Sequence, residues 1–349
     1  MLSSPARHGS PHLRPAVAVL AGLLAVLTAV LTPPSPARAC DICAIYTATD
    51  LLQGRTGLRL GIAEQYTQYA TEQLDGEEVG NPFGEHLYSS NTQLFVGYQF
   101  MRRFGLQLNV PILVKSWRRV LDDGDIQEST RGGIGDVSLL ANVLAYDEMW
   151  DNAVLRLNVI GGLKFPTGNA DFLAEELAED HGEEEPARVK HGGEEHGNEY
   201  ASGVHGHDLT FGSGSVDGIV GGELYWSWHR FFLTSALQYK VTTEGSFDYQ
   251  FANDLTWLGG PGYYALLTDD YSLSIAADLS GETKGFDTQK GETLDDTRIT
   301  TLYVGPAFAF TYGSQASAEL AADLPVVQNN TALQIVPDFR LRAALVWRF

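Results

Sequence analysis

The last segment of the chain, Asp338 to Phe349, constrains the fold more than any other part of the sequence. Apolar side chains occupy one parity of this segment, while the other parity carries three arginines. The apolar set is Phe339, Leu341, Ala343, Leu345, Trp347 and Phe349, and the basic set is Arg340, Arg342 and Arg348. A strict period of two predicts a β-strand with one apolar face and one polar face.

The same alternation recurs upstream and predicts about twelve strands. Short polar turns follow every second segment, and longer polar connections follow most of the others. The predicted strands are 56–69, 88–100, 104–117, 135–146, 153–165, 216–228, 231–243, 253–267, 271–282, 300–310, 316–327 and 338–349. This pattern predicts an all-β protein, a transmembrane antiparallel up-and-down β-barrel with short periplasmic turns and long external loops. Closure is required because an open sheet edge in lipid leaves backbone groups unpaired.

The start of the chain predicts export. Arg7 and Arg14 precede an apolar run at 16–31, and a small-residue cleavage site follows at 37–39. This is the pattern of a secretory signal peptide, so we assign residues 1–39 to a cleaved signal. Residues 40–55 become a periplasmic N-terminal segment and 56–349 the barrel, located in the outer membrane of a Gram-negative bacterium.

Cys40 and Cys43 are the only cysteines, in a CxxC spacing. They could form a disulfide in an oxidising compartment, or a redox or metal-linked pair that docks a periplasmic partner. A lipid anchor on Cys40 is a third alternative, which Arg38 disfavours at a position where such signals prefer a small residue. Haem attachment is excluded because Ala44, not His, follows Cys43.

Composition excludes several function classes. The chain carries 44 acidic against 23 basic residues, a formal net charge of −21, which argues against a nucleic-acid partner. The sequence contains no G-x-S-x-G, H-E-x-x-H or phosphate-loop motif, so we predict that the protein is not an enzyme. A Ser–His–acid hydrolase site is the rival, but His86 and His229 are predicted at opposite ends of the barrel.

The polar parity of the strands predicts which side chains point into the lumen. Arg or Lys on the lipid face costs ~2–4 kcal/mol at the midplane, so charges are expected inside. These charges either pair across a nearly closed lumen or line a narrow polar pore. We favour the pore, because side chains fill the interior of a barrel of about 8 strands and a barrel of twelve strands is wider. The predicted lining residues are Asn109, Lys115, Asp136, Arg156, Lys164, Glu223, Lys240, Asp278, Arg340 and Arg342. The tryptophans, Trp117 among them, lie near predicted strand ends, where aromatic belts are expected.

The predicted external loop at 166–212 is rich in acidic and histidine residues. Between Asp171 and Asp208 it holds twelve acidic residues and five of the nine histidines. Imidazole with carboxylate suits Zn, Ni or Cu, so His181, His191, His196, His205 and His207 are candidate ligands of a weakly bound divalent metal. The alternative is a solvated acidic loop without metal. A short helix is predicted at 172–178, with Asp171 as its cap.

Three glycine-containing motifs occur in order between predicted strands: Gly132–Val137 (GGIGDV), Leu163–Gly168 (LKFPTG) and Phe211–Asp217 (FGSGSVD). This order resembles the phenol-degradation-pathway transporter family of outer-membrane β-barrel channels, over roughly residues 90–349. The resemblance implies a passive channel for small, often aromatic, molecules. The CxxC start and the histidine-rich loop depart from the family pattern.

The predicted function is therefore an outer-membrane channel for passive diffusion of small solutes, aromatic or apolar by resemblance. A divalent metal-binding outer-membrane protein, in metal uptake or efflux, is the first alternative, and a non-transporting barrel anchor is the second. No cofactor is required. The expected partners are membrane lipid, the barrel-assembly machinery, which reads a terminal aromatic residue in similar barrels, and the solute.

Overall fold

The computed structural model of the protein describes residues 56–121, 123–175 and 201–349. The predicted signal peptide, the periplasmic segment and the Cys40–Cys43 pair lie outside these residues. So do three of the five candidate metal ligands, His181, His191 and His196.

The described residues form one closed antiparallel barrel of twelve strands, which confirms the predicted fold class. Each strand pairs with its sequence neighbours, and the last strand pairs with the first, with Leu60 opposite Trp347. The strands are β1 Gly57–Leu74, β2 His86–Met101, β3 Phe104–Val120, β4 in two segments (Ile126–Ile134 and Val137–Trp150), β5 Ala153–Phe165, β6 Asp217–Trp228, β7 Phe231–Val241, β8 Asp254–Leu267, β9 Tyr271–Lys284, β10 Ile299–Tyr312, β11 Ala316–Asn330 and β12 Leu333–Arg348.

The two ends of the barrel differ in their connections. At one end, here called the turn end, short turns join the strands, and β1 begins and β12 finishes there. At the opposite end, the loop end, the connections are 75–85, 121–125, 166–216, 242–253 and 285–298, and a two-residue turn joins β11 to β12. The predicted alternation of short and long connections is thus present, apart from the five-residue connection after β3 and this last tight turn.

Several strands extend further toward the loop end than the sequence pattern predicted. β12 begins at Leu333 rather than Asp338, and Pro337 lies inside it, opposite an irregularity at Tyr69 of β1. Proline is tolerated where the ladder is already interrupted. The polar stretch 118–131 was predicted as loop, but most of it is strand, and cross-strand contacts such as Ser116 with Thr130 stabilise it.

The outer and inner faces of the barrel have opposite chemistry. Outward side chains are large and apolar, for example Val96 at 47% exposure and Leu345 at 59%, whereas the inward Asn109 is 3% exposed. Exposed aromatic residues gather at the turn end: Phe100, Phe104, Trp150, Trp228, Phe231, Tyr271, Tyr312 and Trp347. An apolar exterior flanked by aromatic residues is what a barrel in hydrocarbon requires. Trp117 does not belong to this belt, because it is inward-facing and fully buried.

The remaining elements lie at the loop end. A helical turn, α1 Gly206–Leu209, is in the connection after β5, and residues 173–175 are helical within the range predicted for a short helix. A small sheet of Tyr249–Gln250, Thr288–Gln289 and Glu292–Thr293 joins the connections after β7 and β9. In the described part of the chain, no helix is long and apolar enough to cross a membrane.

Candidate functional site

The three motif segments meet on the inner face of the barrel at a group of buried side chains, here called the motif node: Asp136, Lys164, Ser213 and Asp217. Lys164 Nζ lies 2.7 Å from Asp136 Oδ2 and 2.7 Å from Asp217 Oδ2. Ser213 donates to Asp136 from its backbone nitrogen at 3.0 Å and from Oγ at 2.9 Å. Both ends of the 166–216 connection are therefore tied to the same point on the wall.

The glycines of these motifs allow a close approach between chain segments. A Cβ atom on Gly168 would lie 2.4 Å from the carbonyl oxygen of Phe211, and one on Gly212 would lie 2.6 Å from the backbone of Gly168. Atoms cannot approach that closely, so any side chain here would push the two ends of the 166–216 connection apart. The glycines thus have a packing role at the node.

Residues 201–215, here called the plug segment, fold into the loop end of the barrel. Lys115, an inward-facing residue of β3, donates from Nζ to the carbonyl oxygens of Asp208 at 2.6 Å and Thr210 at 3.0 Å. On the other side, the backbone nitrogen of Ile335 donates to Gly203 at 2.8 Å. The second half of the loop predicted as external therefore lies between the strand walls instead of in solvent.

Apolar packing supports these hydrogen bonds. Val204 and Leu209 of the plug segment join a buried cluster with Phe172, Trp117 and inward residues of two further strands. The rings of Trp117 and Phe172 meet edge to face, with centroids 5.4 Å apart. Burying a side chain of this size contributes about 1.5–3 kcal/mol, so the plug segment is anchored by its own small core.

A second group of charges lies on the inner face of β9, β11 and β12. Arg342 contacts Asp278 and lies 2.8 Å from Asp323, which also accepts from Arg340 at 3.1 Å. The guanidinium of Arg340 stacks 4.0 Å above the ring of Tyr303. The predicted luminal arginines are thus paired with carboxylates of the adjacent β11 and of β9.

The other predicted lining residues also occupy the inner face. Lys240 pairs with Asp254 at 2.5 Å, and Arg156 pairs with Asp147 at 2.9 Å. Asn109 donates to Ser138 at 3.0 Å, and Glu223 accepts from Asn158 at 3.3 Å. The structure places all ten predicted residues inside the barrel, while their role in lining a conducting pore stays a prediction. Asp254 and Asp147 were not predicted as luminal partners, because the register between strands decides which lysine or arginine each of them pairs with.

At the turn end the interior opens into a cavity of about 420 Å³. Tyr225 and Tyr264 lie on its inner wall, joined by a 2.9 Å hydrogen bond between their hydroxyls, and Phe232 packs against both. Ser272 and Thr311 add polar groups to the lining. The turn residues Asp151, Asp269 and Asp270 also line it, so the cavity combines aromatic rings with hydroxyl and acidic groups.

Two of the candidate metal ligands are described, and both lie in the plug segment. Donor atoms of His205, His207 and Asp208 lie within 4.8 Å of one another. Burial by itself raises the pKa of the Asp208 carboxyl, but the electrostatic interactions with His207, His205 and Lys284 and the backbone hydrogen bond from His205 together hold that pKa below its ordinary value. Asp208 was predicted only as the boundary of the acidic stretch, and no local signal pointed to it as a ligand.

Comparison with solved structures finds similar barrels. An outer membrane channel from Pseudomonas putida F1 has a TM-score of 0.52 and 16% sequence identity, covering 91% of this chain and 100% of that chain. The transport unit of the autotransporter AIDA-I from Escherichia coli has 0.41 and 9%, covering 86% of this chain and 92% of that chain. The P. putida toluene transporter TodX has 0.35 and 8%, covering 90% of this chain and 96% of that chain.

The two lower TM-scores do not establish a shared fold. No family model matches the sequence, and a search of curated proteins finds no match. The chain is therefore similar in fold, over nearly its whole length, to an outer-membrane channel barrel.

Proposed function

We propose that the protein is an outer-membrane channel of a Gram-negative bacterium that lets small apolar or aromatic solutes diffuse passively. The observation that carries this proposal is a closed barrel with an apolar exterior, a polar interior and a cavity of about 420 Å³ at the turn end, with Tyr225 and Tyr264 on its wall. The three motifs that resemble phenol-pathway transporters support the solute class. A cavity of this volume lies within the range of ~300–1,000 Å³ of small-molecule pockets.

The described conformation corresponds to a closed channel. The plug segment lies between β3 and β12 at the loop end, and the arginines of β12 extend from the wall to pair with carboxylates of β11 and β9. Passage of a solute therefore requires the plug segment to move while the strand ladder stays intact. The plug segment can move separately because side-chain contacts and few backbone hydrogen bonds hold it, whereas continuous ladders of backbone hydrogen bonds hold the barrel wall.

The test is solute flux through purified protein in liposomes. We expect the protein to raise the flux of phenol above that of protein-free liposomes by more than it raises the flux of a sugar, and a Tyr225→Ala/Tyr264→Ala variant to lose this preference. A Phe308→Ala variant is the matched control, because Phe308 is an exposed residue of the outer face. If the folded barrel passes neither solute, the channel proposal is wrong and the non-transporting anchor takes its place.

The expected partners follow from the same proposal. Membrane lipid would cover the apolar exterior, and the assembly machinery would fold the chain into the membrane. A periplasmic partner at Cys40–Cys43 remains a prediction, as does the lack of any catalytic activity or required cofactor. The metal-binding alternative is favoured by one observation, the convergence of His205, His207 and Asp208.

A further inference from the structure

The carboxylate of Asp208 lies between two imidazole rings of the plug segment. Its Oδ1 is 3.6 Å from Nε2 of His207, and its Oδ2 is 3.8 Å from Nδ1 of His205. The two rings stack with centroids 5.3 Å apart and an interplanar angle of 8°. The turn α1 fixes this arrangement, because the backbone nitrogen of His205 donates to Asp208 Oδ2 at 3.0 Å.

A fourth residue approaches from a different connection. Asp296, between β9 and β10, has its Oδ2 atom 3.3 Å from Nε2 of His205. The opposite ring nitrogen, Nδ1, is buried and has no hydrogen-bond partner among the residues that the structure describes. A carboxylate beside one imidazole nitrogen favours the tautomer with the proton there, which leaves a lone pair on the other nitrogen.

The geometry points to a divalent transition-metal site whose ligands are Nδ1 of His205, Nε2 of His207 and the carboxylate of Asp208, with Asp296 orienting the ring of His205. One donor atom from each of His205, His207 and Asp208 lies within 4.8 Å of the other two, and the carboxylate of Asp208 is 3.8 Å from Nδ1 of His205 and 3.6 Å from Nε2 of His207. Bonds of ~2.0–2.2 Å to one zinc ion require the donor atoms to be somewhat closer, which small side-chain rotations achieve. Two imidazoles and a carboxylate suit zinc, nickel or copper rather than calcium or magnesium.

The surroundings leave room for an open coordination position. His207 and Asp208 line a cavity of about 90 Å³ at the loop end of the lumen, where water or another small ligand can complete the shell. Two lysines line the same cavity, and the charge of Lys284 also acts on the carboxylate of Asp208. Lys115 bonds the carbonyl oxygens of the plug segment, and Lys284 lies 2.9 Å from Asp287.

This site differs from metal capture by a solvated acidic loop. Its ligands are partly or fully buried and belong to the folded plug segment, and its orienting carboxylate belongs to another connection. A bound ion would therefore fix α1 and tie the plug segment to the connection between β9 and β10. The metal site itself does not depend on the proposed channel function. The competing arrangement is metal-free, with a protonated His205 held between the carboxylates of Asp208 and Asp296.

The test is calorimetric titration of the full mature chain, refolded in detergent, with zinc chloride. The reference protein keeps the proposed site and lacks the other candidate ligands. It carries Cys40→Ser, Cys43→Ser, His181→Ala, His191→Ala and His196→Ala. We expect one zinc ion per chain. X-ray absorption of the bound zinc should show only nitrogen and oxygen neighbours at ~2.0–2.2 Å.

Three substitutions in the reference protein separate the alternatives. His207→Ala should weaken zinc binding at least about 100-fold, and Asp296→Asn should weaken it about 10–100-fold, as expected for a residue that orients a ligand. His86→Ala is the matched control and should bind as the reference does, because the His86 ring stacks on Tyr88 on the face of β2 opposite to the buried Leu87. Heat-modifiable migration in gels verifies that each variant forms a barrel.

Absence of zinc binding in the reference protein overturns the proposal and favours the metal-free ion pair. Equal affinity of the reference protein and its His207→Ala variant also overturns it, because the ion would then be held by other residues. Neither result bears on the flux measurements, so failure of the metal site and failure of the channel proposal are distinguishable.

Discussion

Replacing Asp136 with Ala should release the plug segment from the barrel wall. The carboxylate accepts hydrogen bonds from Lys164 Nζ at 2.7 Å, from the backbone nitrogen of Gly168 at 3.0 Å, and from both N and Oγ of Ser213. The variant removes all of these contacts. Lys164 keeps its 2.7 Å ion pair with Asp217, so its charge stays compensated.

The cost follows from the groups left behind in the docked state. Each of the two backbone N–H groups that lose their acceptor costs about 1–3 kcal/mol. Removing one partner of a buried ion pair usually costs ~3–5 kcal/mol, but the remaining pair of Lys164 with Asp217 keeps this contribution at or below the low end of that range. We therefore expect the docked plug segment to lose about 3–6 kcal/mol relative to an undocked one whose amides are hydrated. That difference raises the undocked population by about 10²–10⁴-fold.

The assay is limited proteolysis of the folded barrel with chymotrypsin, followed by mass spectrometry. We expect the Asp136→Ala variant to be cleaved after Leu209 or Phe211, both buried in the wild-type protein. Asp147→Ala is the matched control, since this aspartate is also buried and ion-paired but contacts Arg102 and Arg156 near the turn end. Equal resistance of the Asp136→Ala variant and the wild type at these two bonds would refute the reasoning.

Three further predictions concern topology, selectivity and the outer face. An impermeant thiol reagent on whole cells should label Asp123→Cys at the loop end but not Asp269→Cys at the turn end. Arg342→Met should make the channel more cation-selective, seen as a shift of the reversal potential in a salt gradient, because two carboxylates lose a shared cation. Leu94→Arg should lower the free energy of unfolding in lipid vesicles by ~2–4 kcal/mol, whereas Arg at the inward neighbour Gln93 should cost less.

The barrel itself could be predicted because alternation is a local signal that repeats along the strands. Parity alone placed Arg340 and Arg342 inside, where the structure has them. Trp117 shows the limit of residue-type expectations. It shares the parity of the inward Lys115, yet its type and position near a strand end suggested an aromatic belt. Parity was the stronger signal, because it is fixed by backbone geometry.

The site could be predicted only in part, because its partners come from distant segments. The pairing of Lys240 with Asp254 depends on the register of β7 with β8, which the sequence does not specify. The approach of Asp296 to His205 depends on two loop-end connections folding toward each other. The sequence indicated that the loop was rich in metal-ligand residues. It did not indicate that the loop folds into the barrel or which residues it contacts there.

The seam between β1 and β12 has a consequence for how the chain folds. Every other pair in the wall joins neighbours along the sequence, but this one joins residues near the two ends of the described chain. Loop-closure entropy grows by ~0.6 kcal/mol per doubling of loop length, so the seam costs about 4 kcal/mol more to form than a tight hairpin. It should therefore form last and slowly. Until it does, the nascent sheet has two unsatisfied edges that can capture another chain, and aggregation competes with closure during this interval.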